Sequence, residues 1–221
     1  MNAPYIDFHT HNLPATGNII AIYNVFHNEP VPAYPYYSTG IHPWHVKDWK
    51  ENDWDIFIEK IPGALAVGEC GMDFHPRHAA HRELQKELFL RQIRLSERYS
   101  KPLIIHCVRC YDELKKMRSL ATMPWIVHGY NKSYELAREL TEKYGMFLSF
   151  GAALLHPGGR NADVFRQVPL EFVLLETDDK PVSIKEIYER AAGLKDMDTE
   201  ALKSHMHRQF GKIFKKSVFS Q

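Results

Sequence analysis

The chain has 221 residues, 44% hydrophobic and 25% charged, which suits one substantial globular core. Its 28 Lys and Arg against 27 Asp and Glu leave a net charge of +1, excluding a broad basic surface for wrapping long nucleic acid. Three cysteines (Cys70, Cys107 and Cys110) with no secretory signal pattern exclude a disulfide framework, and no apolar run approaches the ~18 residues of a membrane span. A cytoplasmic protein without a membrane partner is the expectation.

Eight short runs rich in β-branched and aromatic residues recur along the chain: "YIDFHTH", "IIAIYNVF", "YYSTGIHP", "ALAVGECGMD", "PLIIHCVR", "PWIVHGY", "MFLSFGA" and "EFVLLETDD". Most are near-continuous rather than alternating, as in strands buried on both faces of a parallel sheet. After "YYSTGIHP", helical patterns separate them. "DWDIFIEKI" places Trp54, Phe57, Ile58 and Ile61 at helical spacing before Pro62-Gly63, and "HRELQKELFLRQIRLSERYS" puts Leu84, Leu88 and Leu95 on one face. "SYELARELTEKYG" has Ser133 or Asn131 as N-cap and Gly145 at C′; "SIKE" is a capping box opening a helix that Gly193 closes. A last helix runs from about Asp198 to Phe214, with the basic tail "KIFKK". The fold class expected is α/β, a single TIM-like (β/α)8 barrel domain over residues 1–221.

The first quarter departs from that pattern. Only "NLPATGN" and "HNEPVPAYP" separate the first three runs, whereas a helical crossover needs roughly a dozen residues. A trimmed barrel lacking its first helices is expected, with "IIAIYNVF" on short loops and open to running antiparallel.

Polar residues gather at the C-terminal ends of the runs, the face on which parallel barrels keep their sites. His9 and His11, one residue apart in a strand, share a face. Glu69, His106, His128 and Asp178 each end a later run. Taken singly, each has a structural reading; a set of ionisable groups at strand end after strand end costs desolvation without return unless it binds something. Imidazole and carboxylate suit divalent transition metals, and six donors exceed what one tetrahedral ion needs but fit a pair. Two such ions can activate water as hydroxide and clamp a phosphate.

The motifs "IDFHTH", "GIHPW", "AVGECGMDF", "LIIHC", "IVHGY" and "LLETDD", in this order from Tyr5 to Asp179, resemble the TatD family of metal-dependent deoxyribonucleases among the amidohydrolase-like barrels. The resemblance implies two divalent metals (Zn, Mn or Mg), with His9, His11 and Asp178 on one and His106 and His128 on the other. Glu69 binds or bridges between them. It also implies hydrolysis of phosphodiester bonds in DNA, with Glu69 and Asp178 catalytic and Asp178 orienting the water and taking its proton.

Departures fall on the family's substrate contacts. The usual Arg two residues after the strand-five His is Val108, with Arg109 one further on, and "HCFSG" becomes "HGYNKS". The family's "RNEP"-like segment is absent. Arg109, Lys132, Tyr130 and His42 are the candidates for substrate contact. Trp44 and Tyr130 can stack on a base or pack under loops; His42, His45 and Asp73 are candidates for support or structure. The CxxC at Cys107–Cys110, the surface pair His205 and His207, and the turn "HPGGRN" are assigned no chemistry. A short or single-stranded oligonucleotide is the expected substrate. A phosphomonoester, lactone or amide on the same metals is the alternative, and a non-catalytic metal-binding protein is a third reading.

Overall fold

The computed structural model describes residues 3–14 and 18–215. Eight strands, β1 (Tyr5–Thr10), β2 (Ile19–Phe26), β3 (Tyr37–Gly40), β4 (Ala66–Asp73), β5 (Leu103–Val108), β6 (Trp125–Val127), β7 (Phe147–Phe150) and β8 (Val173–Leu175), follow chain order in the sheet. Their apolar runs are buried on both faces: every residue of β3, β4 and β7 is buried. The chain forms two compact units, one reaching to Tyr23 and resuming at His128, the other Asn24–Val127.

In the first unit, β1 pairs with β2 in parallel register, Tyr5 opposite Ile19 and Thr10 opposite Tyr23, and β7 pairs in parallel with β8. Past the end of β8, Asp178 forms a parallel bridge to Thr10, so β1 is hydrogen-bonded on both edges. Helix α4 (Tyr134–Arg138) starts at Ser133, whose hydroxyl accepts from Leu136 N–H. It continues as a π-helical turn over Glu139–Lys143 and stops at Gly145, φ +62°. The remaining helices are α5 (Arg160–Gln167), α6 (Ile184–Leu194) and α7 (Thr199–Phe214). The Ser183–Glu186 capping box and the Asp198 cap are both formed. Tyr188 of α6 locks the helix to β1: its hydroxyl accepts from Ile6 N–H at 3.1 Å and donates to Ile6 O at 2.9 Å. Phe8 packs against Phe210 and Phe214 of α7.

In the second unit, β3, β4, β5 and β6 pair in parallel. Helices α1 (Asp53–Lys60), α2 (Arg82–Tyr99) and α3 (Tyr111–Met117) cover them, with Phe57, Leu88, Phe89 and Trp125 in the core. Gly71 has φ +126°, and a Cβ there would run into the backbone carbonyl of His106 on the next strand. Glycine lets β4 and β5 approach at the level of that histidine.

No helix precedes α1 among the described residues, as expected of a trimmed first quarter. The antiparallel option for "IIAIYNVF" is corrected: β2 is parallel to β1. Residues 11–18 are enough, since eight residues can span about 26–29 Å and a six-residue strand is only about 20 Å long. Residues 15–17 of "NLPATGN" and Lys216 of "KIFKK" lie outside the described residues. Gly193 is corrected too, because α6 runs through it to Leu194. His205 and His207 are half-buried tethers rather than free surface groups, bonded to Leu170 O at 3.1 Å and Pro4 O at 2.7 Å. Among the described residues no helix is long and apolar enough to cross a membrane.

Candidate metal centre

In the first unit the strand ends bring together His9, His11 and Asp178. Asp178 N–H donates to His9 O at 3.0 Å, and His11 N–H donates to Asp178 O at 3.1 Å. These bonds hold Asp178 in the left-handed region, φ +55°, where Asp is tolerated better than most residues. The strap sets the carboxylate against both imidazoles: Oδ1 lies 3.6 Å from His9 Nε2 and 3.5 Å from His11 Nε2. A tetrahedral zinc with donors about 2.1 Å away separates neighbouring donors by about 3.4 Å. The donor set therefore fits an ion at its centre, and its spacing is long for direct hydrogen bonds.

His128 extends this set, its ring 4.5 Å from that of His9. Its Nδ1 is 3.6 Å from Oε1 of Glu176, a buried carboxylate two residues before Asp178. Gly129, at φ +59°, turns its N–H onto the same oxygen at 2.6 Å. Burial pushes the Glu176 carboxyl up, but bonding to His128 and the nearby His9 outweigh it, leaving its pKa below the usual range. A carboxylate behind a histidine fixes the ring's tautomer and raises its basicity toward a metal. His128, Glu176 and Asp178 also form a compact donor group by themselves. Under the strap, buried Asp7 accepts from Thr177 N–H at 3.0 Å and Thr177 Oγ1 at 2.6 Å. A cavity of about 140 Å³ opens beside Asp178, lined in part by Asn131, Ala152, Asn161 and Lys180.

The second unit carries its own donor set, His42, Glu69 and His106. Glu69 N–H is held by Asn24 Oδ1 at 2.7 Å, which fixes the backbone behind the carboxylate. His106 Nδ1 is 2.8 Å from Glu69 Oε1, and its Nε2 faces Asp73 Oδ2 at 3.4 Å. Asp73 also accepts from Trp44 Nε1 and from His75 N–H. Burial pushes its carboxyl up, but these bonds prevail and hold it well below the usual carboxylate range.

Two of the expected substrate contacts, His42 and Tyr130, are buried. His42 is buried, and its Nδ1 accepts from Trp44 N–H at 3.1 Å, leaving Nε2 to donate to Glu69 at 3.0 Å. Burial lowers its pKa to about 4, so it stays neutral. Its contact with Glu69 suits the supporting role that the sequence also allowed it. Tyr130 is 1% exposed; its hydroxyl donates to Ser133 O at 2.7 Å and its ring packs on Phe150. Arg109 is exposed and Lys132 half-buried. Glu176 has no role in the sequence analysis; it lies directly past the end of β8, two positions before Asp178, where no strand period singles it out.

An eight-stranded parallel α/β fold with imidazole and carboxylate donors at its strand ends defines the class of metal-dependent hydrolases. The sequence model of the family described as TatD related DNase matches residues 16–215, and the chain belongs to that family. It is 27% identical to the uncharacterized metal-dependent hydrolase YabD of Bacillus subtilis, over 81% of this chain and 77% of that one. It is 26% identical to the 3′-5′ ssDNA/RNA exonuclease TatD of Erwinia billingiae, over 83% and 79%. The crystal structure of the TatD homologue YjjV of Escherichia coli superposes with TM-score 0.76 at 20% identity, covering 96% of this chain and 98% of that one. That likeness extends the barrel fold to nearly the whole chain.

Proposed function

We propose that this chain is a single-domain, cytoplasmic phosphodiesterase that hydrolyses short or single-stranded DNA with two divalent metal ions, one for each donor set. The observation that carries the reading is the ion-sized spacing of His9, His11 and Asp178, whose backbones are tied together by the Asp178 strap. The substrate class draws on the Erwinia relative, named an exonuclease of single-stranded DNA and RNA.

In this reading His9, His11 and Asp178 hold one ion together with His128, which the resemblance put with His106 and which its closeness to the His9 ring moves here, and Glu69 with His106 holds the other. Zn²⁺, Mn²⁺ or Mg²⁺ would supply Lewis acidity to the phosphoryl oxygens and lower the pKa of water. Asp178, partly open to the cavity, accepts the proton of the attacking water. Glu176 holds His128, Asp73 holds His106, and His42 holds Glu69, each keeping a ring or carboxylate in its working orientation. Lys132 and Arg109 remain the proposed phosphate contacts, by charge.

The test is metal content followed by a hydrolysis panel: oligonucleotides, phosphomonoesters, lactones and amides with Mn²⁺, Mg²⁺ or Zn²⁺. Nucleotide release that disappears in Glu69→Ala and Asp178→Asn is the expected result. Turnover confined to a lactone or amide would overturn the substrate class, and a metal-free, inert protein would overturn the enzyme.

A further inference from the structure

We propose that Trp44 is a stacking platform for a nucleobase, placed beside the Glu69 donor set to seat a single-stranded nucleic acid. This deepens the phosphodiesterase reading and rests on it. Trp44 leaves 48% of its surface open, although it lies against buried chemistry. Its indole N–H donates to Asp73 Oδ2 at 2.7 Å, and Asp73 in turn faces His106. The ring stacks on His78 at 5.4 Å with 14° between planes, while the rings of His42 and His106 meet it edge-on at 4.9 and 5.6 Å. Its orientation is thus fixed before any ligand arrives, and a preorganised aromatic face loses little entropy on binding.

Charge narrows the occupant. The segment after β4 carries exposed Arg77, next in sequence to the His78 that stacks on Trp44, and α2 opens with exposed Arg82, whose guanidinium lies over the Phe74 ring at 4.9 Å, in a chain whose net charge is only +1. An aromatic surface whose stacking partner adjoins a cation in the chain fits the pattern by which single strands are held, base on ring and backbone on charge. An apolar protein partner would gain nothing from those arginines.

Two pentanucleotides test this on the metal-stripped full-length protein: oligothymidine, and the same backbone with abasic tetrahydrofuran residues. Oligothymidine should quench indole fluorescence in the wild type and not in Trp44→Phe, whose other three tryptophans report background. Trp44→Ala should weaken oligothymidine binding about tenfold and leave the abasic strand unchanged. Equal weakening of both strands, or equal wild-type binding of both, would overturn the platform and leave Trp44 a packing residue. So would absence of binding to either strand. If base-dependent binding persists while metal restores no hydrolysis, the stacking inference stands and the phosphodiesterase reading fails.

Discussion

Asp178 is joined to His9 twice. Its backbone N–H donates to His9 O at 3.0 Å, and its carboxylate Oδ1 stands 3.6 Å from His9 Nε2. The first contact extends the sheet and the second builds the donor set, so the same pairing that places the strands sets the spacing of the candidate donors. Asp178→Asn keeps a side chain that tolerates the left-handed backbone while removing the charge and the proton acceptor. The expected result is a fall of about 100-fold or more in kcat/KM with a thermal midpoint within a few degrees of wild type. Retained activity would contradict the assignment.

Glu176 supports His128 from a buried position. Glu176→Gln keeps an acceptor for Gly129 N–H but loses the negative charge behind the ring. Titration calorimetry with Mn²⁺ or Zn²⁺ should show roughly 10- to 100-fold weaker binding. Unchanged affinity would make Glu176 a simple anchor for Gly129.

Gly71→Ala tests how tightly β4 and β5 approach. The added Cβ meets the His106 carbonyl and the backbone is held at φ +126°. Strain and overpacking together should cost about 2–4 kcal/mol, a fall of very roughly 5–15 °C in thermal midpoint. A midpoint unchanged within a degree would refute the close approach.

His205 gives a pH signature away from the donor sets. Burial lowers its pKa from the ordinary 6.5, while the bond to Leu170 O opposes the shift only in part. The unfolded chain then binds a proton first as pH falls below 6.5, so stability is full above that value and declines as pH drops toward the lowered one. Partial exposure keeps the effect small, on the order of a degree or two in midpoint. The advantage of wild type over His205→Gln should shrink between pH 7.5 and pH 5. A constant difference would exclude the linkage.

The donor sets were legible because they obey a local rule: strand residues two apart share a face, and His9 with His11 is its simplest case. Within β4, Asp73 stands four positions after Glu69, two strand periods on, whereas Glu176 lies past the end of β8, where the rule gives no signal. The burial of Tyr130 was not legible, because Phe150 arrives twenty positions later in the chain. Nor was the role of His42, fixed by the turn that aims Trp44 N–H at its Nδ1. Helix α3, of seven residues, is too short to show helical periodicity convincingly. The direction of β2 stayed open in the sequence because connection lengths typical of helical crossovers do not apply to a link that needs no helix.

The central claim is tested most directly by metal restoration. Protein stripped with chelator and dialysed should release no nucleotide from a 5′-labelled single-stranded oligonucleotide. Added Mn²⁺ should restore release in wild type but not in Asp178→Asn, and should raise the wild-type thermal midpoint by several degrees at saturating metal. Hydrolysis that survives chelation, or metal that neither restores activity nor shifts the midpoint, would contradict the account.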